Sequence, residues 1–194
     1  MPNSNSLLHK SITAIFQAGV AAADPNEAVK NCLHIQHNLL QIGLNKQVNS
    51  QQRTGTWQRI HLIAFGKAAC KMAHATQECI PDHLLAGRGI AVSTYENVFT
   101  IENFDVFGAG HPLPDAAGLQ AAKYIAERLK NAQQGELVLI LVSGGGSALL
   151  PFPVPTITLA EKIEENPLYR GLSFFTASYL FLDIARDTVP VRSS

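Results

Sequence analysis

Residues 137–150 read LVLILVSGGGSALL. The first six are apolar without a break, and three glycines follow at once. An unbroken apolar run of this length reads as a strand buried on both faces, the kind that a parallel sheet covered by helices requires. The glycine turn then stands at the strand's C-terminal end. Without Cβ atoms it lets a ligand approach the backbone closely, and its N–H groups, with those of a following short helix, suit a phosphate or carboxylate. A tight turn without a ligand is the alternative. The segment is neither a GxxxxGK[ST] loop nor GxGxxG, since Leu149 occupies the last position.

Working outward, residues 60–64 (IHLIA), 89–93 (GIAVS) and 104–107 (FDVF) are further short apolar strands, and residues 67–79 and 115–131 read as helices. Strands alternating with helices of this length predict an α/β fold. We expect a doubly wound, mainly parallel sheet with helices on both faces, Rossmann-like in type. Upstream, Leu8, Ile12, Ile15, Phe16, Gly19 and Val20 repeat at helical spacing, with Ser6 as a candidate cap. Asp24-Pro25-Asn26-Glu27 is a second helix start. That helix is expected to run to about Gln41 and stop at Gly43. Residues 45–55 (NKQVNSQQRTG) are polar and aperiodic and read as an exposed loop.

The 194 residues suffice to bury a core without disulfides or metals. Fifteen basic and fifteen acidic residues cancel, which gives no attraction to nucleic acid or to an anionic membrane. Cys32, Cys70 and Cys79 form no CxxC pair, as expected of a reducing, cytoplasmic compartment. The N-terminus carries no signal-peptide pattern, and no stretch approaches the ~18 apolar residues of a membrane span.

Two more segments carry chemistry. In Ala64-Phe65-Gly66-Lys67-Ala68-Ala69 a glycine again ends a strand and opens a helix. Lys67 is expected in the first helical turn, where the helix dipole disfavours a cation by ~0.3–1 kcal/mol. An anion between Lys67 and the helix end would explain the placement, since an ammonium suits phosphate as a point charge; a solvated surface lysine is the other reading. In Gly110-His111-Pro112-Leu113-Pro114-Asp115 two prolines stiffen a turn. Asp115 reads first as the cap of the next helix and second as a catalytic carboxylate. His111 reads either as a substrate ligand or base, or as a structural turn histidine. The remaining histidines show no metal-ligand pattern, and His34 and His37, three apart, read as a solvated helix face.

With AFGKAACKMA at 64–73, GAGHPLPD at 108–115 and LVLILVSGGGSALLPFPVPTITLAEK at 137–162, the chain resembles the glycerate 2-kinase family. The second domain of that family is called MOFRL, and some members carry the label hydroxypyruvate reductase. The resemblance implies transfer of the γ-phosphoryl group of ATP to the 2-hydroxyl of D-glycerate, with Mg²⁺, in a cleft between an N-terminal α/β domain and MOFRL. Carried over by motif, Lys67 matches the family's active-site lysine. Ser143, Gly144, Gly145, Gly146 and Ser147 match its glycine-rich loop, and His111 and Asp115 match its HPxPD turn. Whether the loop holds ATP or glycerate stays open.

Residues 6–163 are thus expected to be a partial N-terminal domain of this type, incomplete and inactive alone. Thr158 and Glu161 form a capping box for a helix starting near Leu159. Asn166-Pro167 interrupts it. Residues 164–194 do not match the family and read as an atypical tail, from a frameshift or truncation, or as a covering helix at 172–186. Self-association through this apolar tail is expected. No carboxylate set for Mg²⁺ is identified. One alternative is a non-catalytic module binding a phosphorylated metabolite or carboxylate. A hydroxypyruvate reductase is another, without a dinucleotide fingerprint to support it.

Overall fold

A computed structural model describes residues 4–43 and 52–165. Four strands form a parallel sheet: β4 (Ile60–Phe65), β5 (Gly89–Thr94), β6 (Phe104–Ala109) and β7 (Leu137–Val142). Their spatial order is β6-β5-β4-β7. Helices α3 (Ala69–Cys79) and α4 (Ala116–Lys130) connect them, followed by the short α5 (Gly146–Leu149) and by α6 (Leu159–Glu165).

The strands are largely apolar, β7 at every position, because both faces are covered. Leu62, Ala64, Ala91, Leu139 and Leu141 pack against Met72 and Ala73 of α3. Ile63, Ile90, Val92 and Val138 point the other way, toward Ala121 and Ile125 of α4 and Leu149 of α5. Each fully buried Leu or Ile contributes about 1.5–3 kcal/mol relative to exposure. The doubly wound α/β expectation holds. Helices lie on both faces, and the direction of winding reverses at β4, between β5 on one side and β7 on the other.

The N-terminal region departs from the sequence reading in several places. α1 (Ser4–Ala22) starts two residues before the expected cap Ser6, and its apolar residues, Ile15 and Phe16 among them, are exposed. α2 (Pro25–Cys32) starts where expected, with Asp24 accepting from the Asn26 N–H at 2.8 Å. It then ends nine residues early. β1 (Leu33–Gln36) and β2 (Leu39–Gly43) follow as an antiparallel hairpin, so His34 lies on a strand. His37 and Asn38 both take positive φ, 50° and 65°, which makes the two-residue turn whose twist suits a hairpin. Leu33, Leu40 and Ile42 then bury beneath α2 and α3. Residues 52–55 of the expected loop are a third strand, β3 (Gln52–Gly55), paired with β2; residues 45–51 lie outside the described residues.

At the other end Glu161 accepts from the Thr158 N–H at 2.6 Å and donates its own N–H to Thr158 Oγ1 at 3.2 Å, so the capping box forms. The expected tail and the helix considered at 172–186 lie outside the described residues. No helix among the described residues is long and apolar enough to cross a membrane.

Gly66 sits where β4 leaves the sheet, with φ +119°. A Cβ there would stand 2.2 Å from Ser143 Oγ and 2.5 Å from the Ser143 carbonyl oxygen. Gly66→Ala is therefore expected to lose more than about 1 kcal/mol in urea unfolding. Leu139→Ala, at a side chain 1% exposed, is expected to lose about 2–5 kcal/mol. Unchanged midpoints in both variants would contradict this packing.

Candidate functional site

All four parallel strands end at one edge, and their following turns gather there. Where β4 and β7 end, the two turns are stitched together. The Ser143 N–H donates to the Phe65 carbonyl at 3.0 Å, and the Lys67 N–H donates to the Gly144 carbonyl at 2.8 Å. Ser143 Oγ accepts from the Ala68 N–H at 3.0 Å. From β5, the buried Ser93 hydroxyl reaches the carbonyls of Gly66 and Lys67 at 3.0 and 3.1 Å. Three strands thus hold the backbone of Lys67. The crossing takes up Gly66 and Lys67, so α3 begins only at Ala69 and Lys67 precedes the first helical turn expected for it.

The three glycines serve three separate needs. Gly144 has open space where a side chain would stand. Gly145 takes φ +90°, and a Cβ on it would lie 3.0 Å from His111 Cδ2, 3.1 Å from His111 Nε2 and 3.4 Å from Lys67 Cγ. Gly146 lies against the Phe65 ring, with a Cβ there meeting Cε2 at 2.8 Å. Lys67 and His111, 44 residues apart in the chain, therefore flank one glycine. Ser147 is exposed on α5.

His111 is half-buried, and the His111–Pro112 peptide is cis. Burial holds its imidazole below the usual histidine range, the Lys67 ammonium adds to that, and Glu96 pulls the other way. His111 is accordingly neutral at pH 7 and able to accept a proton or a hydrogen bond. Asp115 caps α4, its Oδ1 accepting from the Gly118 N–H at 2.9 Å. Its Oδ2 accepts from the Tyr95 hydroxyl at 2.5 Å. Burial alone would raise the Asp115 carboxyl; the Tyr95 hydroxyl and surrounding backbone N–H groups hold it below its usual range instead.

Two nearby residues escaped the sequence reading. Tyr95 and Glu96 occupy the 3₁₀ turn Tyr95–Asn97 after β5. The Glu96 carboxyl is held low first by its own backbone N–H and then by the Thr94 hydroxyl, with attraction from His111 and Lys67 added. Their only signal in the sequence is position, directly after an apolar strand and so at the same sheet edge as Lys67 and Ser143.

Other polar groups lie elsewhere. His61 pairs with Glu136 at 2.9 Å at the opposite end of β4 and β7. A groove lined by Asp24, Glu27, Lys30, His74 and Glu78 lies beside α2 and α3, and there Lys30 and Glu78 pair at 2.6 Å. The three cysteines are unbridged, and burial pushes the Cys70 thiol up. Among the described residues no three His, Cys, Asp or Glu side chains gather as a metal site.

The chain is similar to the glycerate 2-kinase of Pyrococcus horikoshii, with 34% identity over 143 residues, covering 73% of this chain and 30% of that protein. It is also similar to the glycerate kinase of Rattus norvegicus, 33% identical over 172 residues, covering 82% and 32%. The crystal structure of a Thermotoga maritima glycerate kinase superposes with a TM-score of 0.63 at 28% identity, over 80% of this chain and 33% of that one. The chain spans about a third of the length of these relatives. The sequence profile described as a domain of unknown function, DUF4147, matches residues 11–168. The chain belongs to the DUF4147 family.

Proposed function

We propose that this chain carries part of a glycerate 2-kinase-type site, for transfer of the γ-phosphoryl group of ATP to the 2-hydroxyl of D-glycerate. The observation that carries the reading is that any side chain on Gly145 would run into both the His111 ring and the Lys67 side chain, so the two converge on this glycine. A lysine, an imidazole and a glycine turn come together here, and phosphoryl transfer asks mostly for positioning and neutralisation of spreading negative charge. The names of the relatives support the substrate class.

Each residue has a role in this reading. Lys67 meets a phosphate as a point charge. Backbone at Gly144 and Gly145 lies open to close approach, and Ser143 and Ser147 border it. His111 holds the substrate carboxylate or takes the hydroxyl proton. Asp115 acts by fixing the turn that carries His111. ATP, when bound, supplies the phosphoryl group, and Lys67 would hold its phosphates. Magnesium has no matching donor set among the described residues, so no residue is assigned to it. Residues 6–163 are read as a partial domain, and turnover is proposed to need the further length that the relatives have, in the same chain or another.

Calorimetric titration of the 194-residue chain with ATP, and separately with D-glycerate, tests this. Binding of one or both is expected, weakened about tenfold or more in Lys67→Ala. A chain that binds neither overturns the reading. Turnover in a coupled ATPase assay that Lys67→Ala abolishes would favour the kinase over a binding module. Oxidation of NADH with hydroxypyruvate would favour the reductase.

The lowered His111 has a consequence for stability. Its folded value lies below its unfolded one, so the unfolded chain binds the extra proton more readily. Stability is expected to fall as pH drops below the ordinary histidine range, about 6.5, and to owe nothing to His111 well above it. In His111→Gln this part of the acid loss should vanish in urea midpoints taken across that range. Parallel pH profiles for parent and variant would contradict the assignment.

A further inference from the structure

We infer that Tyr95 is a positioning residue for His111, clamping the Gly110–Asp115 turn so that the imidazole stays against Gly145 and Lys67. The geometry has three parts. First, the Tyr95 ring lies across β6, since a Cβ on Gly108 would stand 2.7 Å from its Cδ1 and 3.2 Å from its Cε1. Second, the hydroxyl donates to Asp115 Oδ2 at 2.5 Å. Third, the Asp115 carboxylate closes the turn on itself. Its Oδ1 accepts from the Gly118 N–H, and it lies back over the start of the turn, since a Cβ on Gly110 would meet the Leu113 carbonyl oxygen at 2.6 Å and Asp115 Oδ2 at 3.1 Å.

His111 rides on the closed turn, and Tyr95 is the side chain that ties this turn to the neighbouring strand end. The charged groups facing the imidazole are Lys67, from the β4–α3 junction, and Glu96, from the turn that carries Tyr95. Tyr95 is 58% exposed, so losing its hydroxyl leaves no buried group unpaired and no cavity. The clamp stands on this geometry alone; its value for ligand binding rests on the function proposed above.

The test is an NMR titration of the His111 imidazole in the full chain, with inorganic phosphate binding measured by calorimetry on the same samples. Tyr95→Phe removes the hydroxyl. Gly108→Ala displaces the ring while keeping every hydrogen-bonding side chain. Tyr124→Phe is the control, since it breaks a similar bond, to Asp105 Oδ2 at 2.8 Å, away from this edge. The first two variants are expected to move the His111 midpoint upward as the ring leaves its half-buried place beside Lys67. They should weaken phosphate binding about threefold to tenfold, and the control should do neither. A His111 titration in Tyr95→Phe that coincides with the parent overturns the clamp. If the midpoint moves as expected while no sample binds phosphate, the clamp stands and the anion-site reading fails.

Discussion

The hydrogen bonds between the turns after β4 and β7 govern the rest of this molecule. Ser143 and Lys67 each spend a backbone N–H on the opposite turn, and Ser143 Oγ adds a third link. These bonds extend the β4–β7 ladder past the last paired residues, Phe65 and Val142. They do so at the place where the winding reverses and connecting helices leave on opposite faces. Gly66 makes the approach possible, because any side chain there would collide with Ser143. The placement of the Lys67 backbone is thus a property of the sheet rather than of a mobile loop.

Much of the sheet was legible because two covered faces leave an unbroken apolar run. β4, β5 and β7 needed no periodicity to be recognised, only length and bounding glycines. The β1–β2 hairpin was not legible, for a definite reason. Ala28, Cys32, Ile35, Leu39 and Ile42 continue a helical spacing, while Leu33, Ile35, Leu40 and Ile42 satisfy the alternation of two strands. Both periods can be drawn through the same stretch, and they share Ile35 and Ile42. The deciding signal was the pair His37-Asn38, since asparagine tolerates the left-handed conformation that a two-residue hairpin turn requires.

The candidate site divides in the same way. Lys67, the glycine turn and the HPLPD turn were readable because each adjoins a strand end. Glu96 and Tyr95 were not, because their relation to Lys67 and Asp115 is set by the register of β5 against β4 and β6 and not by spacing along the chain. The structure gives Asp115 the capping role read from the sequence and adds a second partner that the sequence did not show. One oxygen caps a helix and the other receives a tyrosine hydroxyl, so a single carboxylate does structural work while shaping the surroundings of His111.

Among the described strands, β7 has a partner on one side only. It is apolar at all six positions, whereas the strand at the opposite border, β6, carries Asp105 and Gly108. Among the described residues the outer N–H and C=O groups of this apolar strand have no ladder partner, and such an edge is a template for strand addition. A fifth strand added at this border would lie beside residues 137–142 and cover the more apolar of the sheet's two edges.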